Sequence, residues 1–280
     1  MALLPSIATP HHFHPLPPET DSAATELARH GACLDVDFVL RFFPVYDFQR
    51  QAVAALFCTP MCAVPGVEAI YGHKAFHSLA PEEWAAVDVA ILEHALAFNR
   101  RMASAGIVVG VGASVSFATL NDPQGRILYR EALRGISPGE LATFVIKIED
   151  IPDNTPGKRI GEIVSSLKGL APRIWVHLPG SHMPLIGTES LHANGVVLSM
   201  PARLPLHGMA TEARWLAKVA QMQTALACMD HVDTANELET VRAEKIRFAA
   251  GGALHHHALA GAASLDEVRD ALYSGPAESA

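Results

Sequence analysis

Eight short apolar segments constrain this chain more than any other feature of its sequence. They are Phe38–Tyr46, Ala52–Cys58, Ile107–Val115, Phe144–Ile148, Arg173–Leu178, Gly195–Ser199, Thr224–Met229 and Ile246–Ala250, and from the second onward they alternate with helical stretches. Short apolar runs between amphipathic helices are the pattern of a sheet buried under helices. Eight such units predict an α/β fold of the (β/α)8 barrel type, and 280 residues fit one such domain. The first two segments break the rhythm, because only Asp47–Gln51 separates them. Parallel neighbours need a connection of roughly a dozen residues or more. The pair is therefore predicted to form a hairpin, giving a modified TIM barrel whose first strand is antiparallel. In such barrels chemistry sits at the C-terminal ends of the strands, so the side chains at those ends decide what the chain does.

The helices are legible from period and punctuation. Ser78 or Ala80 precedes Pro81, with Glu82 and Glu83 in the first turn, where the helix dipole favours acids. Trp84, Val87, Ile91, Ala95 and Phe98 then form one apolar stripe, ended by Gly106. Further helices are predicted at Gly125–Arg134, Lys158–Lys168, Ala210–Met222 and Ala235–Glu244, with a weaker one at His182–Ala193, interrupted by Pro184 and Gly187. Ser264 and Glu267 form a capping-box pattern before a closing helix to Tyr273. Residues 1–20 are rich in Pro and His without a period and read as a flexible tail. Thr20 or Asp21 caps a short helix, Ser22–His30, that Gly31 ends. The barrel domain is placed at 21–275 and a C-terminal tail at 276–280.

Composition removes several function classes. A net charge of −8 argues against a nucleic-acid binder. No apolar run reaches the roughly 18 residues of a membrane span, and the N-terminus lacks the pattern of a signal peptide. Four cysteines at unpatterned spacings (Cys33, Cys58, Cys62, Cys228) point to a reduced, cytoplasmic protein. Cys58 and Cys62 lack a second pair that would complete a metal site. Gly110-Val111-Gly112-Ala113-Ser114 resembles part of a phosphate loop without the glycine or lysine that should follow; close strand packing is the plainer reading. His11, His12, His14 and His255–His257 read as surface tracts. His177 is a candidate base, but no Ser, Cys or second acid clearly pairs with it in the sequence. Trp175 and Trp215 read as packing residues.

Taken in order, the segments resemble the EAL domain, the cyclic di-GMP phosphodiesterase fold of bacterial signalling. The resemblance covers about residues 36–275. Phe42-Phe43-Pro44-Val45-Tyr46-Asp47 is similar to the family's Y-Q-P-I-V-D, and Val53-Ala54-Ala55-Leu56 stands where it has E-A-L. Asp88–Leu92 matches its long helix. Ser114, Leu120-Asn121-Asp122-Pro123, Ile136–Leu141, Val232-Asp233-Thr234 and Gly251 match later landmarks.

The family holds two divalent metals in a ring of oxygen ligands and directs water at a phosphodiester. Carried across residue by residue, that ring is missing. The Glu of E-A-L falls on Ala54, an Asn on Gly112, and a Glu on Lys147, with its partner on Asp150. A slip of one residue would bring Glu149 to that second position. D-D-F-G falls on His177-Leu178-Pro179-Gly180, K-x-D on Val197-Leu198-Ser199, E-G-V-E on Asp230-His231-Val232-Asp233, and the Gln before Gly251 on Ala250. The family's basic residue after E-A-L falls on Cys58, and a thiol cannot make a guanidinium's paired bonds to phosphate. An ammonium beside a metal repels it. The resemblance thus implies a degenerate member with no catalytic residues, metal or cofactor. Ala54, Cys58, Gly112, Lys147, Asp150, His177, Ser199, Asp230 and Asp233 would be the remnants of its pocket. A regulatory or protein-interaction role follows, with a nucleotide-binding effector as the alternative and an active phosphodiesterase least favoured. The partner is expected to be a protein. Resemblance to active relatives implies a homodimer through outer helices, with Met183–Leu191 as candidate interface. No sensory domain is recognisable, so a signal is expected to arrive by association or expression level.

Overall fold

The predicted hairpin forms, and its turn shows why. In the computed structural model, which describes residues 37–63, 70–72, 81–181, 183, 188–201, 204–254, 259–260 and 263–273, β1 (Asp37–Asp47) and β2 (Ala52–Ala63) pair antiparallel. The Asp47 carboxylate accepts the Gln49 amide at 2.9 Å and the Arg50 amide at 3.4 Å. Gln51 completes the turn at φ +52. Such a side-chain-to-backbone turn needs no crossover. The register jumps from Val45↔Ala55 to Tyr46↔Val53, so Ala54 is the extra residue of a β-bulge.

The other barrel strands are β4 (Gly110–Ser116), β5 (Phe144–Glu149), β6 (Ile174–Leu178), β7 (Gly195–Ser199), β8 (Leu226–Asp230) and β9 (Phe248–Ala249). Neighbours run parallel from β2 through β4 to β9, and β1 closes the ring antiparallel to both β9 and β2. Two further short strands, β3 (Ile70–Tyr71) and β10 (Leu259–Ala260), pair with the hairpin where it runs on past the mouth.

Helices cover the ring. The first, α1 (Pro81–Ser104), packs on β4 and β2. Two short elements follow β4, α2 (Phe117–Asn121) and α3 (Pro123–Arg134). They are capped by Ser116 and Asp122. Then come α4 (Pro138–Leu141), α5 (Gly157–Leu167), α6 (Leu206–Gln223), α7 (Ala235–Ala243) and α8 (Leu265–Tyr273). The capping box at Ser264 and Glu267 is present, with bonds of 2.6 Å and 3.2 Å.

Several bounds differ from expectation for local reasons. Residues 107–109 precede β4, because the Ile107 amide still bonds the Met102 carbonyl of the ending helix. Thr224 caps α6 at φ +53, so β8 begins at Leu226. Two α-helices were not foreseen, α2 and α4 with its Ser137–Glu140 capping box, nor were the short strands β3 and β10. Within the expected helix His182–Ala193, the described residues form only a short turn at Thr188–Ser190. The tails, the helix expected at Ser22–His30, Cys33 and the His255–His257 tract lie outside the described residues.

Period-two alternation sorts the strand side chains into two layers. Phe42, Leu56, Cys58, Val111, Ile146 and Val176 face outward, in one core with Val87, Ile91 and Phe98 of α1. Val45, Ala55, Phe57, Val145, Trp175, Val197, Cys228 and Phe248 fill the lumen. Trp175 is its centre, with ring centroids 5.5 Å from Phe57 and 5.8 Å from Phe248. A Cβ at Gly195 would come within 2.6 Å of the indole, so glycine there makes room for tryptophan. Trp215 packs half-buried against the outer core. Both tryptophans are packing residues.

Candidate functional site

Above the Trp175 layer the lumen turns polar. On β5, Val145, Lys147 and Glu149 share the inward face, so the strand that supplies a buried apolar residue also delivers a cation and an anion to the mouth. Lys147 Nζ lies 2.6 Å from Glu149 Oε1 and 3.8 Å from Asp230 Oδ2. The Lys147 and Glu149 side chains are 7% and 8% exposed, and Asp230 is 24% exposed. Asp230 ends β8, two strands beyond the neighbour of β5, so this contact spans the lumen. The ammonium also stands 4.9 Å from the centroid of the Phe57 ring. Burial opposes the charge on Lys147, but the Glu149 and Asp230 carboxylates outweigh it and hold the lysine above its ordinary range.

A second pair lies beside the first. His177 Nε2 is 2.9 Å from Ser199 Oγ, across neighbouring strands β6 and β7. Ser199 is in turn the register partner of Asp230. Burial lowers the His177 pKa, and Glu149, Lys147, Asp230 and His231 all act on its charge. The lowered pKa favours the neutral imidazole, in which one nitrogen accepts and one donates. Opposite, Thr59 Oγ1 and Ser114 Oγ face each other at 3.5 Å, both buried. Directly after the two paired acids the chain turns through left-handed residues, Asp150 at φ +54 and His231 at φ +55.

The structure therefore gathers Lys147, His177, Ser199 and Asp230 at one mouth, and sends other sequence candidates elsewhere. Ala54 is the bulge residue next to Ala55, whose partner Gly110 starts β4, so it lies at the floor. Cys58 faces the helices, and burial pushes its thiol pKa up. Gly112 faces inward below the polar layer, against the Phe57 ring. Asp150 is exposed at its turn. Asp233 is exposed and accepts the Gly252 amide at 2.7 Å, fastening the loop before α7. The inward position on β2 at the level of the mouth is Thr59. Sequence reading missed Thr59, the partnership of Ser199 with His177, and the pairing of Glu149 with Lys147. The signal lay in the alternation: Lys147 and Glu149 are two apart, and His177 and Ser199 each occupy an inward place at adjacent strand ends.

No family model matches the sequence, and no curated protein matches it. Solved structures do. The FimX EAL domain of Xanthomonas citri, solved in complex with c-diGMP, matches at 16% identity and a TM-score of 0.58, over 88% of this chain and 97% of that one. An EAL domain protein from Listeria monocytogenes matches at 11% and 0.62, over 91% and 96%. The PaMucR phosphodiesterase, solved as a c-di-GMP complex, matches at 12% and 0.61, over 80% and 97%. The fold is that of an EAL domain.

The EAL fold implies a two-metal centre, and the mouth residues do not fit one. Two divalent ions need a shared set of oxygen ligands with positions left open. Here the acids at the mouth, Glu149 and Asp230, already have an ammonium between them. Among the described residues, no group of three or more His, Cys, Asp or Glu stands close enough to hold a metal ion.

Proposed function

We propose that this EAL-fold barrel, spanning residues 21–275, is a regulatory or protein-interaction module of bacterial signalling that does not hydrolyse cyclic di-GMP. One observation carries the reading: the acids that would hold metal at the mouth are held by Lys147. Hydrolysis of a phosphodiester in this fold needs cations that activate water and take up charge on the leaving oxygen. A lysine ammonium is tethered and is not a Lewis acid, so it cannot bind and activate water as a metal ion does. The remaining polar groups, the His177–Ser199 pair and the Thr59 and Ser114 hydroxyls, contact one another rather than converge as anions. On this reading, function lies on the barrel's outer surface in a cytoplasmic protein, with a protein partner or a second copy of the chain.

Incubating the full chain with cyclic di-GMP and Mg2+ or Mn2+, beside an active EAL phosphodiesterase, tests this. No linear dinucleotide is expected even at high protein concentration, and metal-dependent release of it would sink the reading.

A second reading is a cyclic di-GMP or nucleotide effector without hydrolysis. Cys58 faces outward, so the thiol that replaces a phosphate-binding residue in sequence does not line the mouth. A related EAL fold, that of FimX, holds c-diGMP. Calorimetry with cyclic di-GMP separates the two: micromolar or tighter binding would replace the interaction module with the effector.

A further inference from the structure

We infer that Ser199 is a nucleophile activated by His177, and that the barrel mouth opens small carboxylic esters through an acyl-serine. Neighbouring strands carry the parts. His177 stands near the end of β6 and Ser199 ends β7, both on the face that Trp175 and Val197 turn to the lumen. That is the end of a barrel where chemistry sits. Ser199 Oγ lies 2.9 Å from His177 Nε2, and a hydroxyl within hydrogen-bond reach of a base is the signature of covalent catalysis. Serines commonly bond back to their own backbone; this one reaches a ring on the next strand.

The charges around the pair suit a proton transfer. Burial favours the neutral imidazole, which can accept the hydroxyl proton. Once the proton has moved, the Glu149 and Asp230 carboxylates favour the imidazolium, against Lys147 and His231. Ile148 pairs with Val176, so Glu149 and His177 occupy the next place on adjoining strands. The developing oxyanion needs positive charge nearby. Lys147 supplies it, its ammonium 3.8 Å from Asp230, the register partner of Ser199. Ser199 and His177 are both partly exposed, which leaves them open to substrate. Phe57, Trp175 and Phe248 fill the lumen beneath and restrict the site to small acyl groups.

The steps balance with water as the only co-reactant. Ser199 Oγ bonds to the carbonyl carbon and passes its proton to His177 Nε2. The bond from that carbon to the alkoxy oxygen breaks, and the alcohol leaves with the proton. Water then attacks the acyl-serine and gives a proton to Nε2, and Ser199 Oγ departs and takes it up. Ester and water become acid and alcohol.

The test treats the full chain with a fluorophosphonate and with p-nitrophenyl acetate. One fluorophosphonate per chain is expected, on Ser199 by peptide mass spectrometry, together with release of p-nitrophenol. Ser199→Ala should lose both reactions and keep its thermal midpoint within a few degrees. His177→Gln can still hydrogen-bond Ser199 but is no base, and should slow labelling about a hundredfold or more. Ser199→Ala alone decides if His177→Gln does not fold. The inference is overturned if the folded chain takes no label, if the label sits elsewhere, if Ser199→Ala reacts like the parent, or if a folded His177→Gln labels as fast. This chemistry is independent of cyclic di-GMP: its failure leaves the non-hydrolysing reading standing, and release of linear dinucleotide would remove that reading alone.

Discussion

At the floor of the barrel Asp47 meets Arg247, and at the mouth Lys147 meets Glu149 and Asp230. The floor pair joins the hairpin turn to the strand that closes the ring. Arg247 donates through Nε to both carboxylate oxygens at 3.2 Å and through an Nη to Oδ2 at 2.7 Å, while its guanidinium remains 31% exposed. Asp47 also keeps the Gln49 and Arg50 amides. The cation of the mouth pair is far less exposed. Its lysine is buried and contacts two carboxylates, one from its own strand and one from across the lumen. At the floor a buried carboxylate is held by several hydrogen bonds from an arginine that still reaches solvent. A buried ammonium is stable only while its acids stay ionised and in place. The floor is built to close the barrel, and the mouth is built around a cation.

Breaking the mouth should cost most. Lys147→Met removes the ammonium that two mouth acids contact, and a loss of about 3–5 kcal/mol is expected by urea unfolding. Adding Glu149→Leu and Asp230→Asn should restore much of it. If Lys147→Met alone is neutral, the ammonium is not what holds the mouth. Next comes the packed layer that separates the two ends. Gly195→Ala drives a methyl into the Trp175 ring and should cost about 1–3 kcal/mol, with a change in the tryptophan fluorescence. Unchanged stability and emission would show that the indole can move aside.

The floor should be weaker and opposite in pH behaviour. Burial works against Asp47, but the Arg247 hydrogen bonds overcome it and lower its pKa. The contribution of Asp47 is therefore present above the ordinary aspartate value of about 3.9 and is lost as pH falls through the lower folded value. For Lys147, raised in the fold, the contribution is complete below the ordinary lysine value of about 10.4 and is lost as pH rises through the folded one. Asp47→Asn should thus cost about 1–3 kcal/mol at neutral pH and flatten the acid limb of stability against pH, whereas Lys147→Met should flatten the alkaline limb. The same limb flattening in both variants would erase the distinction. The smallest effect belongs to Ser199→Ala, about 1 kcal/mol for one partly buried hydrogen bond. It should shift the His177 ring resonances by NMR without moving those of the floor.

Much of the frame was legible in one dimension. The five-residue link Asp47–Gln51 dictated a hairpin, and the Gly195–Ser199 strand has the expected bounds. The capping box at Ser264 and the stripe of α1 were written as local patterns, which is why they are found where expected. The site was less legible. Lys147, His177, Ser199 and Asp230 were all singled out, yet as separate replacements of family residues and without their mutual contacts. Ala54, the residue matched to E-A-L, lies at the floor of the barrel, five positions before Thr59, the inward residue of β2 at the level of the mouth. Cys58 faces the helices, because the inward places on β2 fall on Ala55, Phe57 and Thr59.

By itself, the sequence determined the eight-unit barrel and its antiparallel start. Hydrophobic period, turn length and residue type are local properties, and they suffice for that. Only the tertiary structure decided that Lys147 reaches across the lumen to Asp230 and that His177 finds Ser199. Those contacts depend on strand register and on which face of each strand meets the barrel axis, and neither is set until the ring closes.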